Sequence, residues 1–249
     1  MTQSYTSQAT TPGDFLVGRV ISRSFALLFR HFLMFFIVTL IALPGALIIR
    51  QGADIAQTNP TQALIKIWVI GFPLLMVTGM FSGAIILHAT FQDMRKRPVN
   101  LLASLDVAFR RLLPLILLAL LEIVLMLLGL ILLIVPGIIL YTMWLVSGAA
   151  CIVERTGPWR SLRRSQELTK GHRWKIFGLL LVLVLPGLID HLLELVLSAT
   201  AGATAATIGH AIWSTAASAF SAVVGAVTYY ELRAAKEGID IEQIASVFD

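Results

Sequence analysis

The fold is decided by residues 112–153, which read LLPLILLALLEIVLMLLGLILLIVPGIILYTMWLVSGAACIV. Glu122 is the only charged residue in this stretch. As one α-helix, at about 1.5 Å per residue, the stretch would extend ~63 Å, which is about twice the thickness of a bilayer core. It therefore predicts two membrane crossings, and its Pro136-Gly137 pair predicts the turn between them.

The composition of the whole chain also predicts a membrane protein. Of the 249 residues, 57% are hydrophobic and 13% are charged, whereas soluble domains carry about 25% charged residues. The net charge of +5 does not indicate nucleic-acid binding, because the basic residues lie in alternate loops, as membrane topology alone requires. The single cysteine, Cys151, excludes an intrachain disulfide and a thiolate metal cluster, and we expect it to be a small buried residue.

Six apolar tracts predict an all-α membrane bundle of about six transmembrane helices. The tracts are residues 32–49, 67–91, 112–135, 137–153, 176–189 continuing to 198, and 205–230. We divide the chain into a disordered polar N-terminus at residues 1–13, a six-span membrane domain at 14–233, and a short cytoplasmic tail at 234–249.

The basic residues predict the orientation of the bundle. If the N-terminus is cytoplasmic, all of the 19 Lys and Arg residues except Arg50 and Lys66 lie on the cytoplasmic side. Arg50 and Lys66 lie at the ends of apolar tracts, where their long side chains can reach the lipid headgroups. By the positive-inside rule, we expect a multi-pass protein with both termini in the cytoplasm.

A unit of basic amphipathic arm, apolar run and Pro-Gly pair recurs three times. The pairs are Pro44-Gly45, Pro136-Gly137 and Pro186-Gly187, and we expect them at the tips of three hairpins. Asp14 and Asn100 suit the N-caps of the first two arms, while Pro158 and Gly171 suit the start and end of the third. Each cytoplasmic arm is expected to lie in the headgroup layer. The spacing within the units is unequal, so the alternative is a partly coincidental repeat.

Glu122 is the best single candidate for a functional residue inside the membrane. An ionised carboxylate is costly there, so Glu122 is either functional or a neutral hydrogen-bond partner of a neighbouring helix. Four more ionisable residues lie near the outer ends of the last two tracts: Asp190, His191, Glu194 and His210. One His-x-x-Glu pattern is weak, and ordinary interfacial polarity is the favoured interpretation of these four residues. No spacing supports haem ligation by His31 and His88, and we predict no metal and no cofactor.

The last tract is rich in small residues, which are Gly202, Ala206, Gly209, Ser214, Ala217, Ser221 and Gly225. Small residues let helices approach closely, so we expect this helix to be central in the bundle, the alternative being a pore lining. The sequence contains no His-Glu-x-x-His, Gly-x-Ser-x-Gly or Gly-x-x-x-x-Gly-Lys-Ser/Thr motif. We therefore predict no catalytic residues.

Two motifs resemble those of a known family. The first consists of residues 154–165, which read ERTGPWRSLRRS, and residues 167–174, which read ELTKGHRW. The second consists of residues 229–233, which read YYELR, and residues 236–240, which read KEGID. They resemble the signature of the glycerophosphoryl diester phosphodiesterase membrane-domain family, over about residues 112–242. The resemblance implies a bacterial all-helical membrane domain, which in some relatives is fused to a soluble phosphodiesterase. The catalytic domain is missing from these 249 residues, so the resemblance does not imply that activity.

The motif residues predict a basic elbow on the cytoplasmic side. A helix should run from Pro158 to Gly171, with an Arg163–Glu167 pair at i, i+4, and Trp174 should anchor the next span at the interface. Glu154 is expected to pair with one of the arginines, and Glu231 with Arg233 to close the same cluster. The other structural motif residues are Gly157 and Tyr230. The candidate ligands of a phospholipid headgroup or other phosphate are Arg160, Arg163, Arg164, Lys170 and Arg173.

Three hypotheses of function follow. The first is a non-enzymatic inner-membrane protein that acts as a lipid-associated scaffold or accessory subunit, with the bilayer, anionic headgroups and a further membrane protein as partners. The alternative is a small-solute transporter or permease-like protein with Glu122 in its interior and helices broken at the three Pro-Gly pairs. It predicts a polar cavity that reaches Glu122. The third is an intramembrane enzyme, which requires the four outer ionisable residues within a few ångströms of one another.

Overall fold

The computed structural model of the chain describes residues 15–132 and 134–237. Within these ranges the regular elements are helices and none is a strand, so the all-α prediction is confirmed. The predicted N-terminal region at residues 1–13 and residues 238–249 of the predicted tail lie outside the described residues.

Eleven α-helices follow one another in the described chain. They are α1 (Val17–Arg30), α2 (Phe32–Thr39), α3 (Leu43–Asp54), α4 (Pro60–Leu64), α5 (Phe72–Met94), α6 (Leu101–Leu132), α7 (Ile134–Trp144), α8 (Ser147–Val153), α9 (Pro158–Thr169), α10 (Arg173–Thr200) and α11 (Gly202–Glu237). A 3₁₀ turn, Leu40–Ala42, joins α2 to α3, and a π-helical segment, Ile65–Gly71, joins α4 to α5.

Five helical runs in the described chain are long and apolar enough to cross a membrane. They are Phe32–Asp54, Pro60–Met94, Leu101–Leu128, Arg173–Thr200 and Gly202–Glu237. The predicted fourth crossing is a shorter apolar stretch, Gly137–Val153, in which the helix is interrupted between α7 and α8. The apolar helices are those of a membrane protein, but the predicted count of six long crossings is not confirmed.

The prediction that the Pro-Gly pairs mark the tips of hairpins is wrong for Pro44 and Pro186. Pro186 lies inside the uninterrupted helix α10, and Pro44 lies in the first turn of α3, midway along the run Phe32–Asp54. Pro136 falls in the first turn of α7, and α7 packs back against α6, so this pair lies beside the predicted turn. Proline suits a first helical turn because its missing N–H would be unpaired there anyway. The predicted repeat therefore loses the feature that defined its hairpins in two of its three units.

Local chemistry at the ends of the predicted arms is confirmed in two cases. The side-chain oxygen of Asn100 accepts a backbone N–H of the first turn of α6 at 3.1 Å. Helix α9 begins at Pro158, and Gly171 beyond its end has a φ of 89°, a left-handed conformation that glycine adopts without strain. The predicted cap of α1, Asp14, lies outside the described residues.

The core of the bundle lies around α11, as the sequence predicts. In the most apolar window of α11, 44% of the residues are buried, against at most 28% in the other four long runs. Val223, Val227 and Tyr229 of this helix are fully buried. Helix α11 packs against α1, α2, α5, α8, α9 and α10.

The small residues of α11 differ in how closely helices approach them, because a Cβ atom added at Gly209 would clash with Leu197 Cδ1 of α10. A Cβ atom added at Gly45 in α3 would lie 2.5 Å from the backbone nitrogen of Leu75 in α5, whereas one added at Gly225 in α11 would meet nothing within 4 Å. Ser214, Ala217 and Ser221 of α11 line a cavity. A pore lining by these three residues stays a prediction.

Ionic contacts distinguish two ends of the bundle. The basic end contains α1, the loop at residues 95–100, α9 and the C-terminal turns of α11, and it includes an ion pair between Arg23 and Glu231 at 2.5 Å. The opposite end contains the loop at residues 55–59 and the turn between α10 and α11, with an ion pair between Arg50 and Glu194 at 2.9 Å.

Candidate functional site

A group of charged and polar side chains, the Glu154 cluster, closes the basic end. Arg164 Nε donates to Glu154 Oε1 at 2.6 Å, and a terminal nitrogen of Arg164 donates to Glu237. The hydroxyl of Tyr229 donates to Glu154 Oε1 at 2.7 Å. Arg233 Nε donates to Glu237 Oε2, also at 2.7 Å. The Glu154 cluster therefore ties the loop after α8 and helix α9 to the C-terminal turns of α11.

Arg164 links the two carboxylates of the Glu154 cluster. Its side chain is 24% exposed, and those of Glu154 and Glu237 are 20% and 23% exposed. Partial burial alone would lower the pKa of the Arg164 guanidinium, but its hydrogen bonds to both carboxylates raise that pKa above its ordinary value. Arg164 is thus charged and engaged by protein carboxylates, which leaves it a poor ligand for a phosphate.

Glu231 lies outside the Glu154 cluster, contrary to the prediction that it joins Arg233 there. Its side chain is 4% exposed and lies 2.5 Å from Arg23 and 3.5 Å from Arg19, both in α1. Residues two apart on a helix point to opposite sides, so Glu231 faces away from Tyr229 and Arg233. The Arg23 guanidinium also lies 5.8 Å from the centroid of the Tyr230 ring.

The remaining predicted phosphate ligands lie on or near the outward side of α9. Arg160, Arg163 and Lys170 are exposed. The predicted pair between Arg163 and Glu167 is confirmed at 3.2 Å, and its members are 78% and 54% exposed. Arg173 is half-buried at the start of α10, and its Nε has no hydrogen-bond partner within the described chain. The five predicted ligands therefore do not form one site.

Two tryptophans and a glycine complete the surface around α9. Trp159 is 67% exposed and Trp174 is 85% exposed, as suits aromatic residues at the level of the headgroups. Gly157 is the N-cap of α9, and its carbonyl oxygen accepts the Ser161 hydroxyl at 3.0 Å.

The inward side of α9 carries three hydroxyl residues that the sequence analysis missed. Ser161, Ser165 and Thr169 are all fully buried. Ser165 Oγ donates to the carbonyl oxygen of Met143 in α7 at 2.7 Å, and Ser161 Oγ lies 2.8 Å from the Thr156 hydroxyl. Their spacing of i, i+4, i+8 places them on one helical face, which is the signal that could have identified them.

Glu122 accepts a hydrogen bond from a neighbouring helix and also lines a cavity. The hydroxyl of Ser147 in α8 donates to Glu122 Oε1. Glu122 also lines a cavity of about 240 Å³, the Glu122 cavity, whose other walls are mainly apolar and include Gly83 and Gly148. The residue has the interhelical hydrogen bond of the packing interpretation. The transport interpretation predicts a polar cavity at Glu122, whereas the walls of this one are mainly apolar.

Two further cavities lie next to the Glu122 cavity along α5. The serine cavity, of about 520 Å³, is lined by Asp190, Ser214 and Ser221 among others, and it shares Gly83 with the Glu122 cavity. The basic cleft, of about 430 Å³, lies at the basic end and shares Ile152 with the Glu122 cavity. The three cavities therefore follow one another through the bundle.

The four ionisable residues of the opposite end do not form one site. Asp190 pairs with His210 at 2.9 Å, Glu194 pairs with Arg50 at 2.9 Å, and His191 is exposed. Within residues 15–132 and 134–237, no three His, Cys, Asp or Glu side chains are placed to hold a metal ion. Of the convergence that the intramembrane-enzyme hypothesis requires, the described part of the chain shows the Asp190–His210 pair, while Glu194 pairs with Arg50.

Cys151 and two histidines have ordinary packing surroundings. Cys151 is fully buried and its thiol donates to a loop carbonyl at 3.5 Å, which confirms the prediction of a small buried residue. His31 Nε2 lies 3.1 Å from a carboxylate oxygen of Asp93, and His88 Nδ1 lies 3.0 Å from the Ser104 hydroxyl.

Comparison with known proteins connects this architecture to a family. A family model described as a domain of unknown function (DUF7847) matches residues 62–235, which is more than half of the chain. The matched region contains Glu122, α9 and the Glu154 cluster except for Glu237. Comparisons with curated proteins and with solved structures found no match. By the length of the matched region, the chain belongs to the DUF7847 family.

Proposed function

We propose that this chain is a non-catalytic protein of the bacterial inner membrane that acts as a lipid-associated scaffold or accessory subunit. Both termini lie in the cytoplasm in this proposal, so the basic end meets the anionic leaflet. The observation that carries the proposal is the outward surface of α9, where Arg160, Arg163 and Lys170 are exposed between the exposed rings of Trp159 and Trp174. Basic and aromatic residues together are typical of a surface at headgroup depth.

The proposal rests on α9 and not on α1. Helix α1, the first of the basic arms, carries Arg19, Arg23 and Arg30. Arg19 and Arg23 pair with the buried Glu231, and Arg30 pairs with Asp93. Because a paired arginine offers less charge to the bilayer, we assign the contact with anionic lipid to α9.

We further propose that the chain is related to the membrane domain of glycerophosphoryl diester phosphodiesterases. The support is that the two motifs of the resemblance are neighbours in space. Glu154 and Arg164 of the first motif contact Tyr229 and Glu237 of the second. Such a relation would mean a shared packing of the elbow, and it assigns no phosphodiesterase activity to this chain.

Replacing Arg160 and Arg163 together by glutamine should weaken the preference for anionic lipid about tenfold. Each basic residue near an anionic surface contributes about 1 kcal/mol, and Arg163 contributes less because it already pairs with Glu167. The measurement is the ratio of apparent affinities for phosphatidylglycerol and phosphatidylcholine, obtained by native mass spectrometry of the purified protein. The same two positions changed to lysine should keep the preference. An unchanged ratio in the glutamine variant would sink the proposal.

A second candidate function is the passage of a small polar solute along α5. The serine cavity, the Glu122 cavity and the basic cleft are lined by successive positions of this helix, from Leu75 to Gln92. That interval is about 25 Å of helix, which is most of a bilayer core. The serine hydroxyls and the Asp190 carboxylate that line the serine cavity, together with the carboxylate of Glu122, give such a path polar groups for a hydrated solute.

Cysteine labelling can test the continuity of this path. In a Cys151→Ser background, Ser221→Cys and Gly83→Cys should both react with a membrane-impermeant thiol reagent added from the side opposite the basic end. Ser221 lines the serine cavity, and Gly83 lies where that cavity meets the Glu122 cavity. Leu185→Cys, at a 51% exposed apolar position, should stay unreactive because a thiolate does not form in hydrocarbon. An unreactive Gly83→Cys beside a reactive Ser221→Cys would exclude passage.

A further inference from the structure

The basic cleft is a positively charged site that the proposed function does not use. It lies between the C-terminal end of α5, the start of α6 and the loop after α8. Arg95, Arg97 and Arg155 line it, all three are exposed, and its described lining contains no Asp or Glu. None of the three forms an ion pair with a carboxylate of the described chain. Three uncompensated guanidinium groups around one cavity favour an anionic ligand.

The carboxylates nearest in sequence to these arginines are engaged elsewhere. Asp93, two residues before Arg95, lies 3.0 Å from Arg30 and 3.1 Å from His31. Glu154, next to Arg155, is held by Arg164 at 2.6 Å. Both acids are therefore paired with other cations of the protein, and within residues 15–132 and 134–237 no carboxylate pairs with the arginines of the basic cleft.

The wall of the basic cleft is fixed by a short chain of hydrogen bonds. The backbone N–H of Asn100 donates to the side-chain oxygen of Gln92 at 2.7 Å, which ties the loop at residues 95–100 to α5. His88 Nδ1 lies 3.0 Å from the Ser104 hydroxyl, which ties α5 to α6. A site held in this way loses little conformational entropy when a ligand binds.

The backbone at Arg155 is strained. Its φ is 54°, in the left-handed region that glycine adopts readily and a long side chain does not. A non-glycine residue held in that region is typical of functional sites, where the surrounding structure imposes the conformation. Beneath the arginines, the floor of the cleft is apolar, with Phe91 and Ile152 largely buried.

We propose that the basic cleft binds the phosphate group of an organic phosphate through Arg95, Arg97 and Arg155. The planar guanidinium fork matches phosphate oxygens, and the apolar floor accommodates the carbon atoms attached to the phosphate. The phosphate belongs either to a soluble phosphorylated molecule or to a phospholipid headgroup. The inference goes beyond the proposed lipid association, because the ligand occupies a discrete site formed by residues that the outward surface of α9 does not contain.

The test variant is Arg155→Gly in the full-length purified protein. It removes one guanidinium and places glycine at the positive φ, so the thermal midpoint should be unchanged or raised. Isothermal titration with glycerol 3-phosphate, with glycerol as the uncharged control, tests the soluble source. Native mass spectrometry with phosphatidylglycerol tests the lipid source. We expect the bound probe to be held about tenfold more weakly by the variant, as for the loss of a charge-assisted hydrogen bond.

The outcomes distinguish a soluble phosphate from a lipid headgroup, and they distinguish the site in the basic cleft from lipid association at α9. If Arg155→Gly binds glycerol 3-phosphate more weakly than the wild type does, the ligand is a soluble phosphate. If the variant instead loses affinity only for one tightly bound phosphatidylglycerol molecule, the ligand is a lipid headgroup. Equal binding by the wild type and Arg155→Gly, or binding of neither probe by the wild type, would overturn the site. The Arg160→Gln, Arg163→Gln double variant should bind the ligand of the basic cleft as the wild type does, while its preference for anionic lipid falls. The two proposals can therefore fail independently.

Discussion

Replacing Arg164 by glutamine should lower the free energy of unfolding by about 2 to 3 kcal/mol. The change leaves Glu154 and Glu237, which are about four-fifths buried, without the cation that bridges them. Removing one partner of a buried ion pair is strongly destabilising because the remaining charge stays desolvated. Chemical unfolding in mild detergent, followed through tryptophan fluorescence, measures the difference.

Arg163→Gln is the matched control for Arg164→Gln. It makes the same chemical change one residue earlier, but the pair with Glu167 is exposed to solvent. An exposed pair contributes about 0.5 kcal/mol or less, so this variant should be nearly as stable as the wild type. Equal losses in the two variants would show that the Glu154 cluster does not hold the elbow to α11.

Replacing Gly45 by alanine should lower the free energy of unfolding by about 2 kcal/mol. The new Cβ would lie 2.5 Å from the backbone nitrogen of Leu75 and 2.7 Å from its Cα. Both are backbone atoms, so α3 and α5 must move apart rather than a side chain rotate. The thermal midpoint of the purified protein in detergent reports the loss.

Gly79→Ala is the matched control for Gly45→Ala. A Cβ at Gly79 meets nothing within 4 Å, and alanine is a better helix former than glycine by about 0.8 kcal/mol or more. The midpoint should therefore stay unchanged or rise in Gly79→Ala and fall in Gly45→Ala. A Gly45→Ala protein as stable as the wild type would contradict the close packing of α3 on α5.

Features that depend on local chemistry could be predicted from the sequence. The long apolar stretch at residues 112–153 is incompatible with a soluble fold, and the structure is a helical bundle with apolar runs of membrane length. Asn100 caps the start of α6 and Gly171 follows the end of α9 as expected, because capping uses backbone groups within one turn. The Arg163–Glu167 pair follows from helical spacing alone.

The Pro-Gly pairs show where local chemistry is ambiguous. Proline and glycine favour a turn, yet proline is equally suited to a first helical turn, and Pro44 and Pro136 occupy that position. Pro186 lies inside α10, where its carbonyl oxygen accepts the indole N–H of Trp213 at 2.8 Å. In a membrane, neighbouring helices satisfy the groups that proline frees, so a proline does not by itself end a span.

The candidate site could be predicted only in part. An acid–arginine pair at Glu154 was expected, but which arginine it selects depends on how α9 docks, and the buried hydroxyl face of α9 decides that. The pairing of Glu231 with Arg23 joins residues that are 208 positions apart. The basic cleft likewise draws on the loop at residues 95–100 and on Arg155, which no local pattern places together.

The proposed function requires that the outward surface of α9 binds anionic lipid, and the claim can be tested directly. Native mass spectrometry of the protein released directly from its own membrane tests it with the lipids that the protein meets in the cell. We predict that the wild type carries bound phospholipid with an anionic headgroup and that the Arg160→Gln, Arg163→Gln variant carries clearly less of it at the same thermal midpoint. The same amount of the same lipid on both proteins would contradict the claim.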